Sequence, residues 1–310
     1  MTAPRQLLPG STYLITRRCS ERRFFLRPDP FVEELFGYLL GVASERFGVD
    51  IHAAVVLSNH YDAVVTDWDA KLPRFLHWVH RLAAAVLNAY RGRREGFWSS
   101  DKPSVVRLET ADDILSKMVY TMANGVAAGL VSRAADWPGL SSRPDSLLDA
   151  EGKRYERPSV YFDADGKTRE FGRLRFVRPP GFDDLSGQEL ADLLAKKLEE
   201  REEEHRATMK ANGRSFVGKA ALLRVDWNAS PSTSAPRRVR SPHIAARSRD
   251  RRQRAIERLR EFRRQYREAR LKLREGDQNV TFPAGTYGLR LLMGVRCHAP
   301  PDDICWSRAA

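Results

Sequence analysis

The sequence predicts an α+β fold: a ferredoxin-like split βαβ antiparallel sheet with one helix added, followed by a mainly helical, basic C-terminal region. Three observations predict it. Apolar residues repeat with period two or with helical spacing in the order strand, helix, strand, strand, helix, strand, helix over residues 11–124. The character of the chain changes near residue 145, which divides it into residues 1–145 and a C-terminal extension over 146–310. Charge is concentrated: residues 237–275 carry fifteen Arg and one Lys against one Asp and four Glu, which supplies most of the net +13.

Taken in order, residues 11–17 alternate as a first strand. Asp29-Pro30 opens a helix to about Phe47, with Phe31, Leu35, Tyr38, Leu39 and Val42 on one side and Gly48 as its stop. Val49 to Leu57 and Tyr61 to Thr66 read as two strands joined at Ser58-Asn59. Leu72-Pro73 opens a second helix to about Arg91. Ser104 to Leu108 is a short strand, and Ala111 to Ala123 a helix capped near Thr110 with Asp112 and Asp113 in its first turn. Beyond 145, short runs such as Val160-Tyr161-Phe162 and Arg173 to Val177 within Arg157 to Pro180 suggest a small β element or an extended linker with a turn at Asp165-Gly166. Helices are expected over 186–210 and 250–274, separated by a Ser, Pro and Arg-rich loop over 228–242. In the second of these helices Leu259, Phe262, Tyr266, Ala269 and Leu273 form an apolar stripe between arginines.

Composition narrows the function. No apolar run approaches the roughly 18 residues of a membrane-spanning helix, and no secretory leader pattern opens the chain. Cys19, Cys297 and Cys305 are too few and too scattered for a disulfide framework or a cysteine-rich zinc site, so a reducing cytoplasm is the expected location. A sequence pI near 9.9 with clustered arginine points to a polyanion, nucleic acid first. Phosphate-loop, G-x-S-x-G and H-E-x-x-H motifs are absent, and the carboxylates form no evident acidic triad.

Two short segments carry the chemistry. In Ser58-Asn59-His60-Tyr61-Asp62, His60 and Asp62 are two apart and share one face of a strand. In Tyr120-Thr121-Met122-Ala123-Asn124, Tyr120 and Asn124 are four apart and share one face of a helix. Two ligand-capable side chains on a strand and an amide on a helix suit a divalent cation beside a tyrosine nucleophile. Each piece alone has a plainer reading: a polar strand end, an amphipathic tyrosine, and a helix C-cap at Asn124 before Gly125. His52, His77 and His80 read as satisfied histidines, and Trp78 and Tyr90 as packing or base-stacking residues.

Together the two segments resemble the single-tyrosine HUH transposases, particularly the REP-associated tyrosine transposases, which carry Asn-His-x-His on a strand and Tyr-x-x-x-Asn-Pro on a later helix. Thr12 to Thr16, Gly129-Leu130-Val131 and Trp137-Pro138 fit the same family, so the resemblance covers roughly residues 10–142. The sequence departs from the family at Asp62, where the second histidine stands, and at Gly125, where the proline stands. The resemblance implies cleavage and joining of single-stranded or hairpin DNA through a 5′-phosphotyrosine at Tyr120, with Mg²⁺ or Mn²⁺ held by His60, Asp62 and Asn124. DNA-backbone contacts are expected from Arg81, Arg91 and Arg93 and, on the basic helix, from Arg251, Arg252, Arg254 and Arg258. The expected partner is DNA rather than a membrane, with room left for a homodimer. The HUH-type catalytic domain is expected to fold without residues 237–310. The alternative is a transposase-derived DNA-binding protein that no longer cuts. An RNA-binding protein is a third reading, with no RNP or KH-type motif behind it.

Overall fold

Strand β1 (Ser11–Arg18) is the middle of a five-stranded sheet in a computed structural model that describes residues 4–163, 166, 168–232, 242–301 and 306–307. Asp165 of the expected turn, most of the 228–242 loop and Cys305 lie outside the described residues. β1 is followed by helix α1 (Pro30–Phe47), hairpin strands β2 (Val49–Leu57) and β3 (His60–Asp67), helix α2 (Leu72–Tyr90), strand β4 (Ser104–Leu108) and helix α3 (Ala111–Met122). The sheet order is β2-β3-β1-β4-β7, where β7 (Ile244–Ala245) is a two-residue strand from the C-terminal region. All pairs among β1 to β4 are antiparallel, which is the split βαβ order; β7 joins β4 in parallel.

Local chemistry sets the element ends. Asp29 accepts from the Val32 N–H at 2.9 Å, Pro30 occupies the first turn of α1, and Gly48 ends it with a left-handed φ of 64°. The Asp67 carboxylate receives the Lys71 and Leu72 N–H groups at the start of α2. Thr110 caps α3 by accepting from the Asp113 N–H at 3.1 Å.

Period-two alternation then divides the two faces. Tyr13, Ile15, Tyr61, Ala63 and Val65 face α1 and α2, forming the larger core with Leu35, Phe36, Leu39, Phe75, Val79 and Val86. Leu14, Val64, Val106 and Leu108 face α3, meeting Ile114, Leu115, Met118, Val119 and Met122. A bulge between Ile51 and Ala53 switches the facing of β2, so that Val55 and Leu57 also turn to the α3 side. Burying the five apolar side chains of α3 contributes about 1.5–3 kcal/mol each as an upper estimate. That burial fixes the rotation of α3 over the sheet and therefore the position of Tyr120.

The boundary expected at 145 is not a break in packing. Helix α5 (Gly187–Ala211) lays Leu190 and Leu194 on the α3 core, and β7 extends the sheet. The hairpin of β5 (Lys153–Glu156) and β6 (Phe171–Leu174) covers α1. This approach needs glycine. A Cβ at Gly37 would lie 2.4 Å from the Tyr155 ring, and one at Gly41 2.7 Å from the Arg173 carbonyl carbon. The C-terminal region thus packs on the N-terminal elements through α5, β7 and this hairpin. Val160-Tyr161-Phe162 is not a strand; Phe162 instead meets Tyr38 edge to face at 5.7 Å.

Helix α7 (Arg249–Arg274) buries Ala255, Phe262 and Ala269, and Tyr266 meets Phe282 of β8 (Thr281–Phe282). The described residues also form short helices α4 (Asn124–Ala127), α6 (Lys219–Arg224) and α8 (Gly288–Met293) and strand β9 (Arg296–Cys297). No helix among the described residues is long and apolar enough to cross a membrane.

Candidate active site

The first two side chains of the candidate site come from the start of β3. Alternation sends Tyr61 into the α1/α2 core and turns His60 and Asp62 toward α3. His60 is fixed by its neighbour: its Nδ1 lies 2.7 Å from Asn59 Oδ1, which accepts from it and leaves the Nε2 lone pair facing inward. Burial lowers the His60 pKa, with Asp62 opposing and Arg18 and Arg22 reinforcing the shift. The ring is therefore neutral near pH 7. Asp62 is 1% exposed, and its Oδ1 is buried without a hydrogen-bond partner.

The third side chain comes from the end of the tyrosine helix. The chain stays helical at Ala123 and re-forms a turn in α4, which Gly129 ends with a φ of 72°. Asn124 is therefore not the C-cap expected as its plainer reading. Its side chain is buried, donating through Nδ2 to Asp62 Oδ2 at 2.5 Å, and that nitrogen lies 3.4 Å from His60 Nε2. The carboxylate oxygen and the imidazole nitrogen are 3.8 Å apart. Three side chains separated by 64 residues of chain thus converge.

Tyr120 lies one turn before Asn124 and is 38% exposed. Partial burial raises its phenol pKa, the Asp62 carboxylate raises it further, and Arg18 opposes both. The phenol therefore feels the Asp62 charge. Lys117 sits over the Tyr120 ring at 5.1 Å. Beside the ring opens a groove of about 460 Å³ between α3 and α5, lined by Lys117, Lys197, Arg201 and Arg247 together with Asp112, Glu200 and Glu204.

No family model and no curated protein matches this chain. Among solved structures it is similar to a REP-associated tyrosine transposase bound to a REP hairpin. The TM-score is 0.40 at 16% identity, covering 56% of this chain and 99% of that one. So remote a likeness assigns no family, and the chemistry of the site has to carry the functional reading.

The donor set of that site is one imidazole nitrogen, one carboxylate and one amide. Among the described residues no three His, Cys, Asp or Glu side chains gather in metal-binding fashion. A cation at this place would therefore depend on the Asn124 amide as its third ligand. The unpartnered Asp62 Oδ1 and the inward Nε2 of His60 fit that role, and the oxygen-rich set suits Mg²⁺ or Mn²⁺.

The other sequence candidates divide. Arg91 is a structural tie: its side chain is 3% exposed, pairs with Asp29 at 3.2 Å, donates to the Phe25 carbonyl and stacks over Trp227. Arg93 lies 3.8 Å from the Phe25 ring centroid, and Arg258 pairs with Glu109 at 2.6 Å. These contacts hold loops and α7 in place and tie Arg91, Arg93 and Arg258 to the protein itself. Arg81, Arg251, Arg252 and Arg254 are exposed. Trp78 is packing, His80 accepts from the Tyr61 hydroxyl at 2.6 Å, and His52 bridges the Val177 carbonyl and Thr66 Oγ1. Sequence reasoning missed Arg18 and Lys117. Arg18 faces His60 only through the β1–β3 register, a long-range fact with no local signal, whereas Lys117 at i−3 from Tyr120 was legible by helix spacing.

Proposed function

We propose that this chain cleaves and rejoins single-stranded or hairpin DNA through a covalent link to Tyr120. The observation that carries the reading is the convergence of His60, Asp62 and Asn124, with a buried unpartnered carboxylate oxygen, next to a tyrosine whose ring is open to a polar groove. The resemblance of both motifs to the single-tyrosine transposases gives the reaction its polarity.

In this reading the Tyr120 oxygen attacks a backbone phosphorus. The new Oη–P bond forms as the P–O3′ bond breaks, and the departing 3′ oxygen takes a proton. The phosphodiester energy is kept in the tyrosyl ester, so a second 3′-hydroxyl can reverse the step. Burial and Asp62 both hold the phenol in its protonated form, so offsetting the Asp62 charge eases its deprotonation. His60, Asp62 and the Asn124 amide would hold a divalent cation, which would supply that offset and polarise the scissile phosphate. Asn124 would then turn its amide so that oxygen rather than nitrogen faces the cation, giving up the donation to Asp62. Arg18 and Lys117 are cations near the phenol suited to orienting the phosphate.

One observation favours the second reading, a DNA-binding protein that does not cut. The Asn124–Asp62 hydrogen bond is already a closed amide–carboxylate pair. Incubation with labelled hairpin oligonucleotides and Mn²⁺ or Mg²⁺, followed by denaturing gels, separates the two. Nicked DNA with a protein-linked fragment supports the first reading, and binding without any adduct supports the second.

A further inference from the structure

Helix α7 sorts its charges along two edges. Arg249, Arg252, Arg260, Arg263, Arg267, Arg270 and Arg274 follow the i, i+3/i+4 rule down one edge, with Ile256 the apolar interruption. Glu257, Glu261 and Glu268 lie on the other edge, where they line a groove against the β8 segment and bond to Gln253, Arg264 and Gln265. Among the described residues, Arg249, Arg252, Arg260, Arg267 and Arg274 make no ion pair, and all five are exposed. Off this edge, Arg258 pairs with Glu109 and Arg264 with Glu261 and Glu268, while Arg251 and Arg254 are exposed without an ion pair among the described residues.

Positive charge also accumulates at the middle of this edge. Arg263 lines a small recess with Arg5, Arg107 and His243, which the buried Tyr13 also lines. Burial lowers the pKa of His243, and Arg263 and Arg5 lower it further; Arg107 alone of this group has an acidic partner, Glu109. Cations held together without matching carboxylates are what an incoming anion relieves.

We propose that the arginine edge of α7 holds the phosphodiester backbone of a DNA duplex flanking the strand that enters the Tyr120 groove. This rests on the DNA reading above for its ligand. The geometry is suitable. α7 begins two residues after Arg247, which lines the Tyr120 groove, so the two basic surfaces adjoin. Its 26 residues span about 39 Å, roughly one turn of duplex. The partner is a nucleic acid rather than a lipid surface, because Ala255, Phe262 and Ala269 are buried against the protein and leave no apolar face of α7 to enter a bilayer.

The test replaces Arg260, Arg267 and Arg274 together by Gln in the full chain. A charge-matched control replaces Arg154, Arg169 and Arg173 of the β5–β6 region. Affinity for a hairpin with a duplex stem is measured from 50 to 200 mM salt, and vesicles of mixed neutral and anionic phospholipid form a parallel arm. Each lost phosphate contact should lower the log–log salt slope by about 0.9, and three of them should weaken binding about 10²-fold at 0.1 M salt. The control should bind as the parent does, and vesicles should not compete. An unchanged slope and affinity in the α7 variant, an equal loss in the control, or tighter binding to vesicles than to DNA would overturn the proposal. Because binding is read without cleavage, its failure is separable from that of Tyr120 chemistry. A parent that forms the adduct while the α7 variant binds normally removes only this inference. A weakened α7 variant with no adduct in the parent removes only the other.

Discussion

At the residue scale, the site works by giving each donor one job. Asn59 fixes the His60 tautomer, the sheet holds Asp62 out of water, and Asn124 meets both. A cation binding there should stabilise the fold, since it binds the native state alone. Millimolar Mn²⁺ is therefore expected to raise the melting temperature of the parent by a few degrees and to leave His60→Ala unmoved. Asp62→His, which puts a second imidazole in the donor set, should keep both the shift and cleavage; a folded Asp62→His variant that has lost both would show that the aspartate is not a ligand. His52 gives a second residue-scale prediction. Burial pushes its pKa down to about 4, whereas an unfolded histidine titrates near 6.5. Between those values the unfolded chain binds the extra proton, so stability rises with pH. The contribution is complete above about pH 6.5 and is lost by up to about 1.4 kcal/mol per pH unit toward pH 4. Melting curves at pH 7, 5.5 and 4.5 should show the parent's advantage over His52→Gln shrinking with acid. A constant difference would contradict it. His60, Asp62, Tyr120 and Asn124 were legible in the sequence because strand and helix periods place them in pairs. Arg18 was not, because register decides its neighbour.

At the element scale, α3 is the part that turns sequence into geometry. Its apolar side chains set its rotation, and its cap sets its start. Thr110→Ala removes an N-cap hydrogen bond and should cost about 1 kcal/mol without moving Tyr120. Gly37 of α1 runs against ordinary helix propensity. Gly→Ala inside a helix usually stabilises by about 1 kcal/mol, but here the new methyl would overlap the Tyr155 ring at 2.4 Å. Gly37→Ala should destabilise by about 1–3 kcal/mol, and Tyr155→Ala in the same chain should recover part of that loss; chemical denaturation of the three variants measures both. Elements with strong periodicity and capping residues, α1 to α3 and β1 to β4, could be read from the chain. β7 could not, and the β5–β6 hairpin was legible only as a small β element with its runs misplaced, because two- and four-residue strands owe their existence to distant partners. The same lack of local signal hid the role of Arg91, whose guanidinium is used up by Asp29, Phe25 and Trp227.

At the scale of the whole molecule, the C-terminal half is a structural layer rather than a tail. α5 covers the α3 core, the β5–β6 hairpin covers α1, and backbone bonds join Leu7 to Gly285 and Gly10 to Trp306. The expected independence of residues 1–145 rests on a change of composition and on the span of the resemblance, neither of which registers the apolar contacts between the two regions. Removing residues 237–310 deletes an edge strand and uncovers the surfaces under Phe262 and Phe282. That truncation should aggregate or melt well below the full chain. A monomeric fragment with the parent's melting temperature would restore the two-domain picture.

The central claim is that Tyr120 becomes covalently joined to DNA. Full-length protein and Tyr120→Phe are incubated with a 5′- and 3′-labelled hairpin oligonucleotide and Mn²⁺, denatured, and examined for a protein-linked DNA fragment, with the attachment site mapped by peptide mass spectrometry. The substitution removes one partly exposed oxygen and should leave folding and DNA affinity within about twofold. The account predicts an adduct on the Tyr120 peptide in the parent, retaining the 5′ end of the downstream fragment, and none in Tyr120→Phe. Undiminished cleavage by the Phe variant, or an adduct mapped to another residue, would contradict it.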